Sequence, residues 1–184
     1  MSEEALISVD VETSGDSPST GSLLSVGACL VADPTSGIYL ELKPLPDRPW
    51  SDEAQRVHGL TVESLVRDGL QPAEAMGQLE AWVREVAGDA WPVFVGFNAP
   101  FDWMFVADYF WRYLGRNPFG ISALDLKSLY MGRMGVSRWE ETRKAHIAER
   151  LDLVFEQTHN ALSDARDQAL LARLLLQGPI RSEE

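Results

Sequence analysis

The 184-residue chain has a single cysteine, few basic residues and no long apolar run. One cysteine, Cys29, excludes an intrachain disulfide, and its apolar neighbours predict a buried small side chain rather than a reactive thiol. No apolar stretch approaches the roughly 18 residues of a membrane-spanning helix, and the acidic N-terminus does not match a signal peptide. We therefore expect a cytoplasmic protein with no membrane segment.

Basic residues are outnumbered, since 16 Lys and Arg face 28 Asp and Glu and the formal net charge is −12. This charge argues against broad neutralisation of nucleic-acid phosphates, but not against an enzyme that holds phosphate through bound metal. The segment 111–150 nevertheless contains 8 of the 16 basic residues against 4 acids, and it forms either a local basic face or an ordinary solvated surface. Its charged residues are Arg112, Arg116, Lys127, Arg133, Arg138, Arg143, Lys144 and Arg150, against Asp125, Glu140, Glu141 and Glu149.

Strands that alternate with helices predict an α/β fold, with a mixed central sheet of about five strands and helices on both faces. We expect one domain over residues 1–180 and a frayed tail at 181–184. The second strand is expected to break at Gly27. The predicted strands lie at 5–11, 23–32, 38–42, 91–97 and 121–124. The predicted helices lie at 51–59, from the capping residue Thr61 onwards, and at 71–88, 98–114, 125–131, 139–150 and 161–176.

Two acids share one face of the first predicted strand. Asp10 and Glu12 are separated by one residue, so their side chains point to the same side. Carboxylates this close repel each other unless a proton or a cation relieves them, and Mg²⁺ typically binds a few carboxylates together with substrate phosphate oxygens. Taken alone, the pattern also fits a half-exposed strand with a polar outer face.

A third acid, Asp102, lies in the first turn of the helix that follows the strand at 91–97. Phe105, Val106 and Tyr109 share its helix face, which is the inward one. A carboxylate here can simply complement the helix N-terminus. An inward charge needs a partner, however, and a metal ion shared with the first two acids would supply one.

A histidine and a fourth acid stand near the C-terminus. Asp164 lies in the first turn of the last predicted helix, and His159 precedes that helix on a loop. A lone histidine is usually structural, but imidazole exchanges protons near neutral pH. Four carboxylates and a histidine can hold two cations about 3.5–4 Å apart, with the histidine as general base for metal-assisted phosphodiester hydrolysis.

The combined pattern resembles the DEDDh (DnaQ-like) 3′–5′ exonuclease family, which has a ribonuclease H-like fold. His58-Gly59-Leu60-Thr61 is similar to a His-Gly-Ile-Thr segment of the family. The histidine subclass is indicated, because the related tyrosine subclass has its tyrosine where this chain has Asn160. The three main motifs stand as Asp10-Val11-Glu12-Thr13, Asn98-Ala99-Pro100-Phe101-Asp102 and His159-Asn160-Ala161-Leu162-Ser163-Asp164.

The resemblance implies two Mg²⁺ or Mn²⁺ ions per active site, single-stranded DNA or RNA 3′ ends as substrate, and nucleoside 5′-monophosphates as product. It implies that Thr13 holds the terminal nucleotide through its backbone, and that Leu60 and Phe101 pack against the last bases beside Asn98. Leu60 and Phe101 fit core packing equally well. The implied metal ligands are Asp10, Glu12, Asp102 and Asp164, with His159 as general base.

The segments Arg116-Asn117-Pro118-Phe119 and Leu126-Lys127 also resemble the ribonuclease T branch. Asp16 stands where that branch has a base-stacking phenylalanine, so its tRNA trimming is not carried over. Two other interpretations remain open: a non-catalytic binding module on the same fold, and a proofreading subunit that works in a polymerase complex. A homodimer is a further interpretation, with candidate interface or core residues Trp103, Phe110 and Trp111.

Overall fold

The structure, a computed structural model, describes residues 3–50, 59–155 and 159–177. These residues form a five-stranded sheet in the order β3-β2-β1-β4-β5. β1, β2 and β3 pair antiparallel, whereas β4 pairs parallel with β1 and β5 parallel with β4, which confirms the predicted mixed sheet. The strands are β1 (Glu4–Thr13), β2 (Leu23–Leu30), β3 (Gly37–Glu41), β4 (Trp91–Gly96) and β5 (Ala123–Asp125).

Six α-helices and one 3₁₀ helix are found within the described ranges. The predicted cap at Thr61 is confirmed, because its side chain accepts a hydrogen bond from the Ser64 N–H. No helix among the described residues is both long enough and apolar enough to span a membrane. The helices are α1 (Val62–Asp68), α2 (Pro72–Ala87), α3 (Ala99–Leu114), α4 (Leu126–Met134), the 3₁₀ helix (Trp139–Thr142), α5 (Lys144–Leu151) and α6 (Ala161–Leu176).

Helices cover both faces of the sheet, as predicted. The apolar residues of β1, such as Ile7 and Val9, pack with α2 and α3 on one face. The other face of the sheet packs against α4, α5 and α6, with Cys29 and Val95 in its core. Because side chains alternate along a strand, the polar side of β1 faces α6 rather than open solvent. This arrangement brings the acids of β1 next to the start of α6.

β2 runs through Gly27 without a break, so the predicted interruption is wrong. Gly27 pairs with Asp10 on one side and Tyr39 on the other. A β-carbon at this position would overlap the backbone of Ala161 and Leu162. The glycine therefore allows the N-terminus of α6 to lie directly on β2. The strand stays regular at Gly27 because it is paired there with β1 on one side and β3 on the other.

The single helix predicted at 139–150 is in fact two helices. The Thr142 side chain donates a 2.7 Å hydrogen bond to the Trp139 carbonyl, which closes a short 3₁₀ turn. Arg143 is then extended, with φ −67° and ψ 144°, so α5 starts anew at Lys144. β1 also extends two residues past its predicted end, to Thr13. The helix predicted at 51–59 falls mainly on 51–58, which like the tail lies outside the described residues.

The candidate interface aromatics have different environments. Phe110 is fully buried in the core, so it is not a surface residue. Trp103 packs edge-on against Phe94, with ring centres 5.2 Å apart. Trp111 is 53% exposed and fits a surface position, whereas Trp103 is partly buried against the core.

Candidate active site

The predicted catalytic residues meet in a cleft of about 240 Å³. The cleft lies where β1 and β4, which run parallel, end beside the first turns of α3, α5 and α6. In open sheets of this kind, the carboxyl ends of the strands are the usual place for ligands. The predicted residues that line the cleft are Asp10, Glu12, Asn98, Phe101, Asp102, His159 and Asp164.

Three of the acids form a compact group of oxygen ligands. Asp10, Glu12 and Asp164 each place a carboxylate oxygen within 4.8 Å of the others. β1 supplies two of them through its alternation, and the first turn of α6 supplies the third. An all-oxygen set of this kind suits a hard divalent cation such as Mg²⁺ or Mn²⁺.

Asp102 lies beside this group and is only 5% exposed. Its Oδ1 accepts a 3.1 Å hydrogen bond from the backbone N–H of Val11, the residue between the two acids of β1. Burial raises the pKa of Asp102 to about 8, although the bond from Val11 opposes the shift. The inward direction predicted from the helical spacing is therefore correct.

The electrostatics of the site favour a bound cation. Burial, then the charges of Asp102, Asp164 and Glu12, raise the pKa of Asp10 well above its ordinary value. Burial and the Asp164 charge raise the pKa of Glu12 to about 7. A divalent cation among these acids would offset the repulsion that raises the pKa of Asp10 and Glu12, so the electrostatics of the site, like its oxygen ligands, fit a divalent metal.

Lys144 is a member of the site that the sequence did not single out. Its Nζ donates a 3.1 Å hydrogen bond to Asp164 Oδ1, and its charge lowers the pKa of Asp10, Glu12 and Asp102. In the sequence, Lys144 is one of the eight basic residues of segment 111–150, with no motif around it. Lys144 reaches the cleft because α5 begins there, after the break at Arg143. The single helix predicted at 139–150 does not include this break.

Gln168 is a second residue that sequence reasoning missed. It is 2% exposed, and its Oε1 accepts the Phe97 N–H at 3.0 Å. Because that oxygen is used, its Nε2 faces Asp10 Oδ1 and donates a 2.6 Å hydrogen bond. Gln168 comes four residues after Asp164, so both lie on the same face of α6. This spacing is the signal that would have identified it.

His159 and Asn98 have left-handed backbone conformations, with φ of 49° and 61°. Three non-glycine residues among those described have positive φ, and the third is Asp152. His159 and Asn98 line the cleft, whereas Asp152 does not. Asn and His adopt this conformation more readily than most residues. The turn at Asn98 is held by Asp125, whose Oδ2 accepts the Ala99 N–H at 2.8 Å. His159 is exposed, so its imidazole is accessible from solvent.

Of the residues predicted to contact the nucleotide, only some line the cleft. Phe101 lines the cleft and is half-buried, with its ring centre 5.5 Å from that of Phe105. Neither Thr13 nor Leu60 is among the described residues that line the cleft. The Thr13 side chain is buried and donates to the Gly15 carbonyl at 2.8 Å. The nucleotide contacts of Thr13 and Leu60 stay predictions.

Glu12→Gln is expected to stabilise the metal-free protein at pH 8 by about 3 kcal/mol. The folded state raises the pKa of Glu12 from 4.5 to about 7, so folding favours its protonated form. The wild type therefore loses stability as the pH rises from about 4.5 to about 7, whereas glutamine does not titrate. Urea unfolding in EDTA at pH 4.5 and pH 8 measures the difference. The exposed substitution Glu149→Gln is the control, and an equal effect of Glu12→Gln at both pH values contradicts the prediction.

Two sequence comparisons found related proteins. The RNase_T family model, described as exonuclease, matches residues 7–172. The Escherichia coli protein 3′–5′ DNA exonuclease Cap18 is 47% identical over 174 residues, which cover 94% of this chain and 92% of that protein.

Solved structures share the fold. The nuclease domain of 3′hExo, a DEDDh family member bound to rAMP, has a TM-score of 0.76 and 15% identity over 97% of this chain and 96% of that one. E. coli exonuclease I in complex with a dT13 oligonucleotide has a TM-score of 0.72 and 17% identity over 95% of this chain. The chain spans only 41% of exonuclease I. At these identities the structures establish the fold alone, and they confirm the predicted ribonuclease H-like class.

Proposed function

The chain belongs to the RNase_T exonuclease family and is a 3′–5′ exonuclease, and we propose that it removes nucleotides from the 3′ ends of single-stranded DNA as nucleoside 5′-monophosphates. The observation that carries this proposal is the convergence of Asp10, Glu12 and Asp164 within 4.8 Å, in the cleft that His159 also lines. DNA is the proposed polymer because the relative at 47% identity is named a DNA exonuclease.

Divalent-metal dependence is a property of the family and suits the acidic cluster. We propose two Mg²⁺ or Mn²⁺ ions, held by Asp10, Glu12, Asp102 and Asp164. When bound, such ions supply activation of water and neutralisation of the charge that develops on the leaving oxygen.

The remaining residues position groups and move a proton. His159, exposed at the cleft, is proposed to accept the proton of the attacking water. Gln168 fixes the Asp10 carboxylate through its 2.6 Å hydrogen bond, which holds one ligand in a single orientation. Lys144 offsets the charge of Asp164 at 3.1 Å.

Substrate contacts are proposed on the β4–α3 side of the cleft. The half-buried ring of Phe101 is accessible there and would pack against the terminal base. Asn98 lies beside it, and Thr13 and Leu60 are proposed to complete the nucleotide site. We further propose that residues 1–180 act as one exonuclease domain.

The test is degradation of single-stranded DNA and RNA labelled at the 3′ or the 5′ end, with Mg²⁺, with Mn²⁺ and with EDTA. We expect immediate release of the 3′ label as mononucleotide, progressive shortening of the 5′-labelled strand, faster action on DNA, and no reaction in EDTA. His159→Ala protein, purified in the same way, controls for contaminating nuclease.

Other outcomes would select among the alternatives. Faster degradation of RNA would overturn the DNA assignment and leave the 3′–5′ polarity intact. Activity that persists in EDTA would contradict the metal ligand set. Activity that requires an added polymerase would support the proofreading-subunit interpretation, and size-exclusion chromatography with light scattering tests the homodimer.

A further inference from the structure

A strip of alternating cations and aromatic rings leads from the cleft to the protein surface. Lys144 Nζ lies 5.8 Å from the ring centre of Phe97, and Lys127 Nζ lies 5.9 Å from the same ring. Lys127 Nζ is also 4.3 Å from the ring centre of Trp139. We call these four residues, Lys144, Phe97, Lys127 and Trp139, the cation–aromatic strip.

The strip begins inside the candidate active site and ends in solvent. Phe97 and Lys144 line the cleft, and Lys144 contacts Asp164 there. Trp139, at the other end, is 51% exposed. An exposed indole in line with a catalytic cleft offers a flat face to a ligand that extends out of that cleft.

The four residues of the strip come from separate segments of the chain, so the fold, not the local sequence, places their side chains side by side. Phe97 follows β4, Lys127 lies in the first turn of α4, and Trp139 opens the 3₁₀ helix. In one continuous helix, Trp139 and Lys144 would be five residues apart and would not share a face. The break at Arg143 instead allows both to lie along Phe97 and Lys127.

The charge of the strip contrasts with that of the chain. The net charge is −12, yet both charged members of the strip are lysines. Lys127 forms none of the ion pairs found between described residues, and its ammonium faces two aromatic rings. It is therefore available to an anion that arrives from outside the protein.

We infer that the cation–aromatic strip binds the part of a single-stranded nucleic acid that lies upstream of the 3′-terminal nucleotide. Lys127 pairs with a backbone phosphate, an unpaired base stacks on Trp139, and Lys144 stays paired with Asp164 at the cleft end of the strip. This combination of cations along the backbone and aromatic platforms for bases is how sequence-tolerant single-strand binding works. The inference rests on the proposed function, because it specifies where the rest of that substrate lies.

The test uses two strip variants with matched controls. Trp139→Ala is matched by Trp91→Ala, since Trp91 is 55% exposed and starts β4 at the end opposite Phe97. Lys127→Ala is matched by Arg173→Ala, in the last turn of α6, far along the helix from Asp164. Binding of a fluorescent strand of about twelve nucleotides is followed by anisotropy in Mg²⁺ over a series of salt concentrations, in the His159→Ala background to limit degradation.

Trp139→Ala should weaken binding about tenfold without changing its salt dependence, because stacking involves no counterion. Lys127→Ala should weaken binding and lower the slope of log K against log salt by about 0.7, the value for one phosphate contact on a single strand. The two control variants should bind like the parent. If the strip only stabilised the fold, the Trp139→Ala and Lys127→Ala variants would not differ in the salt dependence of their binding.

Hydrolysis with His159 intact gives an independent readout. The ratio of kcat/KM for the long strand to that for a dinucleotide should fall about tenfold in Trp139→Ala, since the inference assigns the indole to nucleotides upstream of those that a dinucleotide supplies. Strip variants that bind like their controls, or that lose both substrates equally, overturn the inference. If the strip variants weaken binding but the protein hydrolyses neither substrate, the inference is supported and the proposed function is contradicted. If the protein hydrolyses both substrates and the ratio does not change in Trp139→Ala, the proposed function is supported and the inference is contradicted.

Discussion

Replacement of His159 by alanine is expected to slow removal of the 3′-terminal nucleotide by about a hundredfold to ten-thousandfold, the range that general acid–base catalysis contributes. His159 is exposed at the cleft, and it is not one of the four carboxylates proposed to hold the metal ions. The expected loss is therefore in the proton transfer and not in metal binding. Single-turnover hydrolysis of a 3′-labelled strand measures it directly.

The design of this experiment separates catalysis from backbone strain and from metal loss. Alanine adopts the left-handed conformation of His159 less readily than asparagine does, so His159→Asn should fold as well and lose as much activity. His146→Ala removes another exposed histidine and should keep wild-type activity.

Metal binding to the histidine variants is followed through thermal stability. A ligand that binds only the folded state raises Tm by mass action, so Mg²⁺ should stabilise the His159 variants as it does the wild type. Mg²⁺ should raise the Tm of the Asp10→Asn variant much less, because this variant lacks one of the proposed metal ligands. Retention of near-wild-type turnover in both His159 variants would exclude the histidine as general base.

The parts of the site that follow from local periodicity could be predicted from the sequence. Asp10 and Glu12 share a face because a strand repeats every two residues, and Asp102 faces inward because its helix neighbours at +3, +4 and +7 are apolar. Both inferences need only residues close in the chain. The structure bears them out, with a common cleft and an Asp102 that is 5% exposed.

Contacts between distant segments could not be predicted in the same way. Gln168 bonds to Asp10 across 158 residues, and Lys144 bonds to Asp164 across 20. No local pattern states which helix face meets which strand, or that α5 starts at Lys144. Glycine is unfavourable in strands, which predicts a break in β2 at Gly27. The close approach of α6 to Gly27 outweighs that preference.

The largest structural effect is expected for Gly27→Ala, which should lower the free energy of unfolding by about 3 kcal/mol or more. The added β-carbon would overlap the backbone of Ala161 and Leu162. Backbone atoms cannot move aside as a side-chain rotamer can, so α6 would have to shift away from the sheet. Urea unfolding followed by far-UV circular dichroism measures the loss.

The same substitution connects the fold to the chemistry, because α6 carries Asp164 and follows directly on His159. Any Gly27→Ala protein that stays folded should therefore bind Mg²⁺ more weakly and lose activity, even though Gly27 does not line the cleft. Gly77→Ala, in α2, is the matched control. A β-carbon added there would meet no atom of another segment within 4 Å, and the substitution should raise stability by about 0.5–1 kcal/mol. If both variants were equally stable and active, the packing of α6 on β2 would not be what positions Asp164 beside Asp10.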